Sequence, residues 1–265
     1  MRARKVMHLS TLLAALLLVH AAALAETVIM RADPWYPVNL DPSSDKPGYV
    51  IEIARLALQR AGHTLDYALY PWERSVDGVR RGQIDCLPGV HRNTVPDFIF
   101  MTENVGVDRM AFYTRSDAPS FEYRGLADLQ DKVLAVIGGY GYSDEIDAYI
   151  KSAGFGPALQ VTRGDRPLER NIRMLLAGRV DLVLESIAAL EHTAAEMNVL
   201  PQLKRAAQLP DLVPIYIACS PAKSTSHDYV KLLDEGVREL RASGELQRIL
   251  EKYGMQEWQQ RSASE

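Results

Sequence analysis

Two arginines, a tryptophan, two tyrosines flanking a glycine and one glutamate are the residues of this sequence best placed to hold a small molecule. Arg92 stands in the loop after the apolar run "IDCLPGV", and Arg74 two positions beyond Trp72 in "PWERSV". A guanidinium can grip a carboxylate through two parallel N–H bonds. Either arginine is therefore a candidate anchor for an anionic group. Trp72 offers a rigid ring of large area, and a cation over such a ring gains roughly 0.5–2 kcal/mol. Its other fate is core packing. Glu185 ends the apolar run "VDLVLE". If buried there, it needs a cation beside it, either a ligand amine or an arginine; if exposed, it needs none. In "VIGGYGYSDE", Gly139 and Gly141 let backbone N–H groups approach a ligand, and Tyr140 and Tyr142 could form a wall beside them. Ser143 and Asp144 suit the cap of a following helix, whose N-terminus favours negative charge. Ser143 and Asp144 also stand where a dinucleotide fingerprint would require its last glycine.

Signatures of catalysis do not accompany these residues. His63, His91, His192 and His227 lie at no metal-ligand spacing. No Gly-x-Ser-x-Gly elbow occurs. Binding without a catalytic residue, metal or cofactor is the expectation.

The elements that must position these residues come in two similar sets. "PWERSVDGVRRGQID" is echoed 96 positions later by "PLERNIRMLLAGRVD", with Pro71, Glu73, Arg74, Val76, Gly82, Ile84 and Asp85 matching Pro167, Glu169, Arg170, Ile172, Gly178, Val180 and Asp181. Each copy has the form of a helix opened by proline, closed by glycine and followed by a buried strand. Arg74 thus has a structural counterpart in Arg170, whereas Leu168 replaces Trp72, so the fold does not demand tryptophan there. Before the first copy lie the strand "TVIMRA", the helix "GYVIEIARLALQRAG" and the strand "TLDYALY"; before the second lie "KVLAVIG", "SDEIDAYIKS" and "ALQVT". Strands alternating with helices imply mostly parallel sheets covered by helices, in two α/β lobes. The closing segment "SHDYVKLLDEGVRELRASGELQRILEKYG" has no third copy and is expected to pack on the first lobe. The chain would then cross between lobes twice, near Arg109–Arg115 and Val213–Cys219. Two crossings form a hinge, with a ligand held in the cleft between lobes.

Residues 1–25 carry Arg2, Arg4 and Lys5, then the run "LLAALLLVHAAALA" ending in small residues, the form of a signal peptide cleaved after Ala25. The protein is accordingly expected in the periplasm. The 265 residues hold 30 Lys and Arg against 34 Asp and Glu; the leader takes three of the basic residues and no acidic one, so the net charge moves from −4 to −7. Nucleic acid is excluded as a partner on that balance. Cys86 and Cys219 both sit in strand-like runs. The plain reading is two small buried residues that never meet, although an oxidising compartment leaves a disulfide open.

Taken in order, the leader, "DPWYP", "GYVIEIA", "PWERSVDGVRRGQID", "LAVIGGYGYSDEID", "NIRMLLAGRVDLVLE" and "LRASGELQRILEKYG" resemble periplasmic solute-binding proteins of family 3 over essentially the whole mature chain. The resemblance implies a two-lobed type II periplasmic-binding fold, with lobe 1 at residues 26–112 and 214–265 and lobe 2 at 113–213. It implies capture of a small polar solute, amino acid-like or an organic acid, for an ABC importer, with its permease as partner and the binding protein a monomer. It also places an aromatic platform at Tyr36, beside Trp35. The sequence departs from the amino-acid binders of the family at two points. Their Thr-x-x-Arg-like segment is replaced by the shorter "GVHRNTVPDFIF", with Arg92 the nearest arginine, and their ammonium-holding aspartate falls at Ser186, preceded by Glu185. Two alternatives stand beside the importer reading. One is a dehydratase resembling cyclohexadienyl dehydratase, with Glu185 as its acid or base, and the other is a ligand-sensing adaptor for a membrane receptor.

Overall fold

The computed structural model describes residues 25–154 and 156–258. Residues 1–24, which hold nearly all of the expected leader, lie outside the described residues. Among the described residues no helix is long and apolar enough to cross a membrane.

The first set of elements runs β1 (Thr27–Ala32), α1 (Tyr49–Arg60), β2 (Thr64–Leu69), α2 (Trp72–Arg80), β3 (Cys86–Val90), β4 (Ile99–Phe100) and β5 (Gly106–Arg115). The second runs β6 (Leu134–Ile137), α3 (Asp144–Ala153), β7 (Leu159–Thr162), α4 (Pro167–Leu176), β8 (Leu182–Ser186) and α5 (Ile187–Glu196). β9 (Leu203–Cys219), α6 (Ser226–Ala242) and α7 (Glu245–Lys252) complete the chain. The strand order is β2-β1-β3-β9-β5-β8-β6-β7, with β4 also on β9. The two outer groups share one plan: β1 pairs in parallel with β2 and β3, and β6 does the same with β7 and β8. This is the α/β arrangement expected from the alternating elements.

The repeated segments fold alike for a local reason. Gly82 and Gly178 follow their helices at φ 73° and 67°, a left-handed conformation that a side chain disfavours. The aspartate three residues later then turns back onto the neighbouring strand: Asp85 accepts the Ile29 N–H at 2.7 Å, and Asp181 accepts the Val133 N–H at 2.8 Å. Each carboxylate thereby satisfies a backbone donor at the start of a parallel pairing. Pro167 opens α4 within its first turn, whereas Pro71 sits one step earlier, as the cap of α2. Ser143 caps α3 by accepting the Ile146 N–H at 3.3 Å.

The apolar residues form separate cores on either side of β5 and β9. One joins β1, β2 and α1 to Leu233, Val237 and Leu240 of α6 and Leu246 and Leu250 of α7, and includes Val105 and Ile215. On the other side are cores with Met110, Phe112 and Leu209, and with Ala111, Tyr113 and Leu203. Along β5 the chain therefore changes cores between Val107 and Met110, and along β9 it returns between Leu209 and Ile215. β5 and β9 are antiparallel, with their register broken between Arg109 and Ala111, at this changeover.

Cys86 and Cys219 form a disulfide, which corrects the reading of two thiols that never meet. β3 and β9 are antiparallel in a register that sets Cys86 directly opposite Cys219, with Cα atoms 3.9 Å apart. Strand register between segments 133 residues apart is a tertiary property. Similarly, Leu203–Pro210 at the start of β9 reads as no strand in sequence because its apolar residues do not alternate. It is held by pairing with β5.

Candidate functional site

A small cavity lies between the two halves, at the C-terminal ends of the parallel strands. This is where α/β sheets characteristically hold ligands. Asp33 follows β1, Pro88 to Val90 end β3, Glu185 is near the end of β8, and Tyr140 and Gly141 follow β6; all line the cavity. Trp72 at the start of α2, Trp35 and Asn39 after β1, and Asp108 and Met110 of β5 close it. The free space is ≈ 30 Å³, room for about one or two waters.

The halves meet directly around this cavity. The Trp72 indole N–H donates to the Gly139 carbonyl at 2.8 Å, and the ring stands edge-on to Tyr140 at 5.8 Å. The Tyr140 hydroxyl donates to the Asp33 carboxylate. Asn93 donates to Asp147 at 2.7 Å, and Arg163 pairs with Glu73 at 2.7 Å. A Cβ at Gly141 would come within 2.3 Å of the Thr94 hydroxyl, so glycine lets the Thr94 and Asn93 side chains approach as closely as they do.

Three carboxylates face the cavity. Glu185 is 3% exposed, and burial raises its pKa to about 8. Its Oε1 accepts the Ser186 N–H at 2.9 Å, while Oε2 has no partner among the described residues. Asp108, 6% exposed, is raised by burial to about 7. Its Oδ1 accepts from the Ser186 hydroxyl at 2.7 Å and the Arg109 N–H at 2.8 Å, leaving Oδ2 without a partner there. Asp33 is raised to about 6 by burial, against the opposing pull of the Tyr140 hydroxyl. His91 is lowered to about 4 by burial, so its ring is neutral at pH 7. Its Nδ1 lies 3.3 Å from the Gly141 carbonyl. A carbonyl can only accept, so Nδ1 carries the hydrogen and Nε2 presents a lone pair. That Nε2 also has no partner among the described residues.

Of the residues singled out in the sequence, Trp72, Tyr140, Gly141 and Glu185 come together here. The other four do not reach the cavity. The Arg92 guanidinium lies over Tyr216 at 4.2 Å and Phe100 at 4.9 Å and donates to the Met101 carbonyl at 2.8 Å, all on its own side of the molecule. Arg74 is exposed, over Tyr70 at 4.2 Å. Tyr142 is a core residue, 1% exposed, whose oxygen accepts the Ile137 N–H at 2.8 Å. Tyr36 stacks on His192 at 3.8 Å and borders a separate hollow of ≈ 430 Å³, while its neighbour Trp35 takes the cavity wall. Neither arginine lines this cavity, and no Arg or Lys is among its lining residues.

Sequence reasoning missed Asp33, Asp108 and His91. Asp33 directly follows a parallel strand, a place that could have marked it. Asp108 sits inside a strand, and His91 carries no spacing signal, so nothing local distinguished either.

The sequence matches bacterial extracellular solute-binding proteins, family 3, over residues 27–256. No curated protein matches. The fold is similar to a histidine kinase sensor domain with similarity to periplasmic binding proteins, at TM-score 0.71 and 22% identity over 86% of this chain and 95% of that one. It is similar to an ancestral arginine-binding protein bound to arginine, at 0.70 and 17% over 86% and 97%. A structure described for glutathione import via GshT and the cystine ABC importer TcyBC of Streptococcus mutans aligns at 0.70 and 15% over 87% and 95%. The structural likenesses establish the periplasmic-binding-protein type of fold. By the sequence match, which spans nearly all the described residues, the chain belongs to the bacterial extracellular solute-binding proteins of family 3.

Proposed function

We propose that this protein is an exported binding protein that captures a small polar solute by closing its two lobes, residues 26–112 with 214–265 and residues 113–213, and delivers it to the permease of an ABC importer. The reading rests above all on the cavity, which is lined from both sides of the β5 and β9 crossings and includes buried polar atoms without partners among the described residues. Export uses the leader, cut after Ala25, and the mature chain works as a monomer without chemical change to its solute. Trp72, Tyr140, Gly141 and Glu185 form the site together with Trp35, Asp33, His91 and Asp108. The arginine and glutathione named for the similar structures are polar solutes, which accords with this class, and the importer named for one of them accords with the partner. The sensor-domain neighbour supports a second reading, in which the loaded form signals to a membrane receptor.

A solute that touches both lobes favours the closed state only by the difference in its affinity for closed and open forms. Moving closure from one per cent to ninety-nine requires about 5.5 kcal/mol of such preference. Small-angle scattering during a screen of amines, amino acids, organic acids and small peptides tests this. Compaction with a solute recovered intact by mass spectrometry is the expected result. Turnover of the solute that Glu185→Gln abolishes would replace binding with the dehydratase-like reading.

A further inference from the structure

Resting on that assignment of the cavity, we propose that its solute is a small organic cation without a carboxylate, an aliphatic amine or diamine, whose ammonium group takes the ≈ 30 Å³ of free space while its chain requires the two halves to part beyond their present spacing. The unpartnered side-chain atoms on residues lining the cavity, among the described residues, are Asn39 Oδ1, Asp108 Oδ2, Glu185 Oε2 and His91 Nε2, on side chains 1%, 6%, 3% and 6% exposed. Burial holds Glu185 and Asp108 partly protonated in the free chain, with pKa values of about 8 and 7, and a cation beside them favours the ionised forms, in which all four atoms are acceptors. An alkylammonium carries three N–H donors and no acceptor, the complement of this set. Buried polar atoms left unpaired are costly, so a donor-rich group gains by satisfying them.

Charge points the same way. Asp33, Asp108 and Glu185 line a space that holds no Arg or Lys. A solute carboxylate would find no guanidinium to receive it and would disfavour ionisation of these groups further, whereas a cation would stabilise their ionised forms. Trp35, Trp72 and Tyr140 add aromatic rings to the wall, surfaces that attract a cation and cover an alkyl chain. Among the described residues no three His, Cys, Asp or Glu side chains are grouped so as to hold a metal ion.

The test is calorimetric titration of the whole mature chain with n-butylamine, 1,4-diaminobutane, n-butanol, n-butyrate, L-glutamate and L-arginine. The amines are expected to bind at least tenfold more tightly than the isosteric alcohol, with butyrate and glutamate silent. Asp108→Asn and Glu185→Gln should each weaken amine binding tenfold or more without lowering the melting temperature of the free protein. Amines no better than n-butanol overturn the assignment, a result that needs no variant. Glutamate, butyrate or arginine binding more tightly than both amines would also overturn it, while leaving solute capture intact. Capture itself fails separately, if no member of the wider screen produces compaction in scattering.

Discussion

Glu185, Asp108 and His91 are buried ionisable side chains whose titration should be visible in stability. Glu185 and Asp108 have pKa values raised to about 8 and 7, so from the ordinary carboxylate range up to those values the folded chain holds protons that the unfolded chain has released. Stability from these groups is fully present below about pH 4 and is lost as pH rises through 7 and 8. His91 acts oppositely below pH 6.5, where its neutral ring resists a proton that the unfolded chain accepts. Glu185 faces Asp108, Asp33, Tyr140 and Tyr142, and the tyrosines are pushed well above their usual range. Between pH 6.5 and 8 the two carboxylates therefore dominate, and denaturation of the unliganded protein should show stability falling by up to about 1.4 kcal/mol per unit per group. Glu185→Gln should flatten that slope. Trp72→Leu, which installs the residue of the second copy, should weaken solute binding about tenfold, or about 1.4 kcal/mol, by titration. Arg92→Ala should leave binding nearly unchanged and cost about 0.5–1 kcal/mol of stability, because its guanidinium covers Phe100 and Tyr216.

At the scale of elements, two devices hold the parallel groups in place. Asp85 and Asp181 receive equivalent backbone N–H bonds, one in each copy of the repeat. Asp181→Ala removes the acceptor for the Val133 N–H and, because the bond is solvent-exposed, should cost about 0.5–1.5 kcal/mol in denaturant unfolding. The Cys86–Cys219 bond joins β3 to β9 across 133 residues of chain. Closing so long a loop restricts the unfolded state, and reduction should cost about 2–5 kcal/mol. Thiol titration of the unreduced, denatured protein should find neither cysteine free.

For the whole molecule, the decisive arrangement is that β5 and β9 carry the chain between the cores. Their register breaks between Arg109 and Ala111, beside Asp108, so the proposed hinge and the proposed site share one short stretch. Motion there would change the surroundings of Asp108 directly. Trp72–Gly139, Asn93–Asp147 and Glu73–Arg163 join the two sides of the cavity, and under the proposed hinge motion they would part as the lobes open. The Glu73–Arg163 pair is solvent-exposed, so breaking it in Glu73→Gln should change the scattering profile of the free protein little. Trp72→Leu removes both the indole N–H that Gly139 accepts and the ring that meets Tyr140, and it should shift that profile toward a more open form.

What the amino-acid sequence determined alone was whatever depends on near neighbours. Periodicity, proline, glycine and capping residues marked the strands and helices, and the repeat exposed two copies of one unit, because these signals operate within a turn or two of backbone. The disulfide, the strand character of Leu203–Pro210 and the carboxylate cluster were decided by tertiary structure. Each depends on register or on side chains brought together from distant segments, as Asp33, Asp108 and Glu185 are. Arg92 shows the same limit from the other side. Its loop was legible, but the direction of its side chain was chosen by Phe100 and Tyr216, the latter 124 positions away, and it turned from the cavity to the ring. Local chemistry selects an element; only packing selects the face on which a side chain acts.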